Sequence, residues 1–430
     1  MSLTPPLTAS AARPSQVDRV VGYAVLVLWL VWAWGAFQGA WANDLAALWF
    51  AGHFHASGQP DLIYAAPPMF FGGTPPAWEG LHAALGLAPN QPAYPYIYPP
   101  LWAGLAAPLT RVLAPQAFFD LALAVHLAML AGSILLAERL ARPTFLPFAG
   151  FIIWALLVLT QTASGFALLS LNQPTITVSF FTLLAIWLIR RAPAAAGTAL
   201  ALAAAIKLTP IVFAALLVQA RRPRAIAVMV LTGGALALAS VALMGWPLHR
   251  AFLAQLDLAS EKSVWGMVNP SLRILMLDIA SQLGLAEPLP QGAGNVTVLI
   301  MPHWTKLLAV VLALAIAVPV VLAARKRPSA QAVTLVALGF SVALFLFGPL
   351  SWLHYLELPL LLLPALGFGF GRVPSLALLA AMAALNSSEL LLLLGPMPNG
   401  LAIYSWAMVL GWSAILTATF VALIRQPRGE

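Results

Sequence analysis

From Val20 to Trp41 the chain runs without a charged residue. A helix needs about 20 mostly apolar residues to cross the hydrocarbon core. Similar runs recur at roughly 97–113, 117–138, 146–169, 175–189, 195–219, 225–244, 305–324, 331–350, 355–371, 374–394 and 401–424. In lipid every backbone N–H and C=O must be satisfied within the chain, so such runs are helices. The expected class is therefore all-α, a polytopic integral membrane protein. Composition agrees: 62% of the 430 residues are hydrophobic and 8% are charged, against about 25% charged in soluble domains. A soluble globular protein is excluded. So is a nucleic-acid-binding one, despite a net charge of +8.

The basic residues set the orientation. They cluster at Arg13/Arg19, Arg139/Arg142, Arg190/Arg191, Arg221/Arg222/Arg224, Arg325/Lys326/Arg327, Arg372 and Arg425/Arg428, while 42–96 holds neither Lys nor Arg. Placing every cluster in the cytoplasm gives about twelve crossings with both termini inside. The polar tail 1–19, its first 15 residues expected to be disordered, and the short tail 425–430 are then cytoplasmic, and 20–424 is one membrane domain. The run 97–113 either re-enters or forms part of a broken crossing. The run 195–219 becomes two short helices broken near Lys207-Leu208-Thr209-Pro210, where Pro removes a helical donor; one long helix is the alternative. The outer face collects 42–96, Leu171-Asn172-Gln173-Pro174, the Lys207 break, the connection 245–303, Ser351-Trp352-Leu353-His354 and a short loop at 395–400.

That face also gathers the unusual polar residues. Asp44 sits where the first helix leaves the membrane, a depth at which desolvation strengthens a carboxylate as a base. The plainer reading is a helix-end carboxylate or an N-cap for a helix over 45–56, which is amphipathic enough to lie along the interface. Tyr64 and the run Tyr94-Pro95-Tyr96-Ile97-Tyr98 suit an aromatic belt or a substrate wall. His53 and His55 have no third ligand nearby, so a structural or solvated role is expected and no metal. Lys207 costs about 2.5–3.5 kcal/mol in the middle of an apolar run, which marks it as functional or as the partner of a structural carboxylate. Arg273 can hold a phosphate bidentately or be a solvated loop residue. His354 is placed to hydrogen-bond a substrate or move a proton, with Glu357 one turn on to orient it; a satisfied structural His is the alternative. With no Cys, disulfides and Cys-based catalysis are excluded. No Walker, Gly-x-Ser-x-Gly or His-Glu-x-x-His motif occurs.

The set resembles the GT-C superfamily of membrane glycosyltransferases, and within it glycosyltransferase family 87, which includes polyprenol-phosphate-mannose-dependent α-1,2-mannosyltransferases. Four pieces carry the resemblance, in family order over roughly 40–365. They are Asn43-Asp44 with Gly58 to Tyr64; Tyr98-Pro99-Pro100-Leu101 with Pro108-Leu109; Asn172-Gln173 with Lys207-Leu208-Thr209-Pro210; and Asn269-Pro270-Ser271-Leu272 with Pro349-Leu350-Ser351-Trp352-Leu353-His354. The chain departs from the family pattern at Leu171, often Gly, and at Pro270, more usually Gln.

The resemblance implies a GT-C-like fold whose large first outer loop contains interfacial helices. It also implies an inverting transfer of a sugar, most often mannose, from a polyprenyl-phosphate donor to a lipid or glycan acceptor at the outer face of a bacterial plasma membrane, with no cofactor. Asp44 matches the catalytic base, and His354 matches a His near the reaction centre. Lys207 and Arg273 are the expected cations for the donor phosphate. Asn43, Tyr64, Tyr98, Asn172, Gln173, Asn269 and Trp352 are expected to line the substrate. A transporter or lipid flippase is the alternative class, although the chain shows neither internal pseudo-symmetry nor the mid-membrane ionisable chain such proteins use. An acyltransferase or ligase of polysaccharide assembly would share the multi-span design but would use a His or Arg in an outer loop.

Overall fold

The structure is a computed structural model describing residues 14–68, 70, 72–289, 297–327, 329–348, 350–397 and 399–427. The expectations for residues 1–13, including Arg13, and for Pro349 and Arg428 lie outside the described residues.

The first helix, α1 (Gln16–Phe37), opens on Ser15, whose hydroxyl accepts from the Asp18 N–H at 3.1 Å. A disordered tail through residue 15 is thus corrected: an N-cap and four further residues before the apolar run are already ordered into the helix. The Asp18 carboxylate accepts from the Phe148 and Ala149 N–H groups at 2.9 Å each. It satisfies orphan donors at the start of a distant helix and complements its dipole.

The loop after α1 contains α2 (Asn43–Ala56), a 3-10 turn at Pro60–Leu62, another at Pro76–Trp78, and α3 (Glu79–Ala84); α4 (Pro100–Thr110) follows. Leu45, Ala46, Trp49, Phe50, Ala51 and Phe54 are all buried. So α2 is a core helix packed on α4, and the expectation that 45–56 lies on the interface is corrected. Gly52 permits the approach: a Cβ there would meet the Ala106 Cβ at 2.9 Å. At 11 residues, α4 is about 16 Å long, roughly half the hydrocarbon thickness, so 97–113 does not cross alone.

The bundle continues with α5 (Pro115–Ala141), α6 (Phe148–Gln161), α7 (Ala163–Ser170), α8 (Thr175–Leu188), α9 (Pro193–Ile206), α10 (Ala214–Gln219) and α11 (Pro223–Met244). A 3-10 turn, Thr209–Phe213, joins α9 to α10. The connection that follows holds α12 (Trp246–Ser260), β1 (Lys262–Trp265), α13 (Leu272–Gln282) and β2 (Thr297–Ile300). The last part is α14 (His303–Arg325), α15 (Ala330–Phe347), α16 (Glu357–Leu362) between 3-10 turns, α17 (Arg372–Leu385), α18 (Ser388–Leu394) and α19 (Gly400–Ile424).

Among the described residues six helices reach span length by themselves: α1, α5, α11, α14, α15 and α19. The pair α7 and α8 qualifies together but is bent by 111°. The other apolar runs form shorter helices, so any count near twelve depends on those pairing end to end. The run 195–219 is broken after Ile206, as its Lys-Leu-Thr-Pro sequence predicts. The run 374–394, expected as one helix, breaks at Asn386–Ser387. Its free groups meet the α6–α7 break: Ala163 N–H donates to Asn386 O at 2.9 Å, and Thr162 pairs with Ser387. Two helix breaks thus satisfy one another where lipid cannot.

The all-α expectation needs one correction. Strands β1 and β2 pair antiparallel from Lys262↔Ile300 to Trp265↔Thr297. Four-residue strands are too short to show a periodicity, and their pairing spans the whole of α13.

Two cores organise the molecule. The larger joins α1, α5 to α11 and α13 to α19. The smaller holds α2, α4, the loop aromatics Tyr64, Trp78, Tyr96 and Tyr98, and Leu248 and Phe252 of α12. Lys207 stands at the seam between the two, its ammonium facing Tyr98 of the smaller core and Tyr355 on the larger.

Candidate active site

Lys207 is where that seam is held. With α9 ended by the coming Pro210, Lys207 takes an extended conformation while its N–H still reaches Ala203 O. Its ammonium donates to Thr175 Oγ1 at 2.6 Å. It lies 4.7 Å from the Tyr355 ring centre and 6.0 Å from that of Tyr98. Such faces attract a cation without neutralising it.

Asp44 lies in the first turn of α2. Ala42 occupies the cap position and makes no side-chain bond, so the N-cap reading of Asp44 is corrected. The carboxyl is half-buried, and burial raises its pKa to about 6 while Lys207 pulls it down. Desolvation wins because the ammonium, though within electrostatic reach, forms no ion pair with it. Burial first, and then the Asp44 charge, hold the Tyr98 phenol well above its ordinary value.

His354 and Glu357 complete the cluster. Buried His354 stacks near Trp352, with centroids 6.4 Å apart, and meets the edge of Tyr355 at 4.8 Å. Glu357 is 2% exposed and neither carboxyl oxygen has a hydrogen bond of ordinary geometry. Ser179 and Lys207 are its polar neighbours. Lys207 lies within electrostatic reach of Asp44, Glu357 and His354.

The remaining sequence candidates sit one layer further out. Asn43 offers its carbonyl to Tyr94 N–H at 3.1 Å. Tyr64 donates its hydroxyl proton to Tyr98 O at 2.6 Å and so fixes the strip that carries the Tyr98 ring. Asn172 is buried with φ 47. Its amide nitrogen donates to Phe119 O at 2.9 Å, and its oxygen meets His126 Nδ1 at 2.6 Å, which assigns the proton to Nδ1. Gln173 is buried and accepts the Thr175 hydroxyl proton at 3.4 Å.

Asn269 is a clasp. Its amide donates to Val264 O at 2.7 Å and its oxygen accepts from Ser351 N–H, while Leu353 N–H donates to Val268 O at 3.1 Å. The Asn269 loop and the Ser351–His354 segment are therefore stitched together beside His354. Arg273 is 2% exposed, and its bonds go elsewhere: Nη1 donates to Ser260 O at 2.9 Å and Nε to Thr305 Oγ1 at 3.4 Å, leaving Nη2 without a hydrogen bond among the described residues. It ties the end of α12 to the start of α14. His53 stacks on Trp49 at 5.1 Å.

Residues from five of the six segments grouped by charge counting thus meet around Lys207 and His354. Sequence reasoning missed Thr175, Tyr355 and His126. Thr175 directly follows Asn172-Gln173-Pro174, and Tyr355 follows His354, but a hydroxyl beside a motif carries no signal until its partner is known. The assembled site pairs a base poised near neutrality with the Lys207 ammonium, walled by aromatic faces. That suits removal of a hydroxyl proton beside an anionic leaving group.

A family model described as glycosyltransferase family 87 matches residues 96–349. The matched stretch contains Tyr98, Asn172, Gln173, Lys207, Asn269 and Arg273; Asp44 precedes it, and His354 and Glu357 follow. No curated protein matches the chain.

Proposed function

Since the chain belongs to glycosyltransferase family 87 and is a membrane glycosyltransferase, we propose that its donor is a sugar, mannose first, carried on a polyprenyl phosphate. The acceptor is a hydroxyl of a lipid or glycan at the outer face of a bacterial plasma membrane. Asp44 takes the acceptor proton as that oxygen attacks the anomeric carbon. The bond from that carbon to the phosphate oxygen breaks with inversion, and its electron pair leaves with the lipid phosphate. The phosphate gains one negative charge, which Lys207 offsets in a site of low dielectric. Arg273 reaches the phosphate only through Nη2, the nitrogen without a hydrogen bond. His354 orients the acceptor beside Trp352. Tyr64, Asn172, Gln173 and Asn269 shape the walls from behind.

The observation that carries this reading is a half-buried carboxyl with a pKa near 6 that shares one ammonium with the rest of the site. A base is most effective when its pKa lies near the working pH. The test is transfer from radiolabelled polyprenyl-phosphate sugars in membranes containing the protein, with the product identified. Mannose transfer is expected. Asp44→Asn is expected to insert and fold yet lose about 10²–10⁴-fold in turnover, the usual share of a general base. Full activity in that variant removes Asp44 from the reaction.

A further inference from the structure

Within the proposed site, Lys207 is flanked by carboxylates at Asp44 and Glu357, yet the hydrogen bond of its ammonium goes to a neutral hydroxyl, Thr175 Oγ1, at 2.6 Å. That choice of partner has a chemical consequence. A carboxylate in direct contact would neutralise the cation and, were it Asp44, weaken the base. A hydroxyl orients the ammonium and leaves its charge free.

Thr175 is itself held in place. It is 6% exposed and is the first residue of α8. Its proton points to Gln173 Oε1 at 3.4 Å, which turns the oxygen lone pairs toward Lys207. The backbone of Gln173 donates to Leu168 O at 3.0 Å. Asn172, in the left-handed region at φ 47, is locked by Phe119 O and His126. The 111° bend between α7 and α8 is thus a rigid bracket that ends on a hydroxyl aimed at the ammonium.

We infer that Thr175 is the positioning residue for Lys207, and that the turn Asn172–Thr175 acts on the reaction through that ammonium and not by touching substrate. This rests on the reading of Lys207 as the cation for the donor phosphate.

The test uses the full-length enzyme purified in detergent, with polyprenyl-phosphate mannose as donor and the acceptor found in the transfer assay. Three variants are compared: Thr175→Val, Thr175→Ser and Gln173→Met. Val keeps the shape and removes the acceptor oxygen. It is expected to raise the donor KM about tenfold, equivalent to about 1.4 kcal/mol, and to leave the acceptor KM where it was. It should also move the acid limb of the kcat/KM profile to lower pH, because in the free enzyme an ammonium released from Thr175 leans onto Asp44 and lowers its pKa. Ser restores parental values, and Gln173→Met gives a smaller change in the same direction.

A Thr175→Val enzyme with the parental donor KM and acid limb overturns the inference and leaves the donor reading standing. So does a variant in which both KM values rise together with the limb unmoved, since that reports general distortion. If Val does not fold, Gln173→Met decides by the same two readouts. A parent enzyme that turns over no polyprenyl-phosphate sugar defeats the donor reading and this inference with it.

Discussion

Asp44 shows how one residue trades stability for chemistry. Its carboxyl has a higher pKa folded, about 6, than the ordinary 3.8. Between those values the folded state binds more protons than the unfolded one, so stability falls as pH rises through that window and the full cost persists above it. Asp44→Asn carries no such charge. Its melting temperature should exceed the parent's above pH 6, and the gap should close near pH 4; thermal unfolding across pH reads this directly. Equal melting temperatures throughout would mean the carboxyl is not desolvated. Lys207 makes the complementary case. It lowers the Asp44 pKa, so Lys207→Met should move the acid limb of kcat/KM to higher pH and raise the donor KM more than tenfold, as loss of a charged contact does. A limb that stays or moves down would separate the two residues. The spacing of His354 and Glu357 in the sequence suggests that Glu357 orients His354; in the fold Glu357 faces Ser179 and Lys207 instead.

Among the elements, α2 decides where the base sits. Its sequence, with Trp49, Phe50 and Phe54 among small residues, reads equally well as an interfacial helix or a buried one, because both need an apolar stripe. Packing against α4 at Gly52 settles it. Gly52→Val would place a branched side chain where Ala106 already stands at 2.9 Å from a Cβ. The expected cost is about 1–3 kcal/mol for overpacking, with a lower melting temperature and impaired transfer as α2 and Asp44 are pushed off α4. A normally stable, fully active variant would show that this contact does not position the base. The helix breaks were only partly foreseen. The one at Lys207 announces itself through Pro210 and a charge. The one at Asn386 has no Pro or Gly, and exists because its freed groups find those of the α6–α7 break.

For the whole molecule, the absence of Cys makes topology directly testable. Asn90 lies exposed in the first long loop and Arg224 exposed at the start of α11. In intact cells a membrane-impermeant maleimide should label Asn90→Cys, and should label Arg224→Cys only after permeabilisation. The reverse pattern would place the site on the cytoplasmic side. The two-core arrangement also explains why few long helices suffice. The short helices α8, α9 and α16 bury much of their surface against the rest of the chain, so protein shields them.

Local partition between water and lipid is legible in the chain directly: a membrane protein of many helices, the break at Lys207, and the grouping of the polar segments. Hydropathy and the placement of Arg and Lys are properties of short stretches, and the bilayer reads them independently of the rest of the chain. The tertiary structure alone decided which groups face one another. Lys207 finds Thr175 across 32 residues and Asn269 finds Ser351 across 82. Arg273 turns to Ser260 and Thr305, and β1 pairs with β2 beyond α13. A buried polar group takes whichever partner packing brings within about 3 Å, and that distance is written in no single segment of the chain.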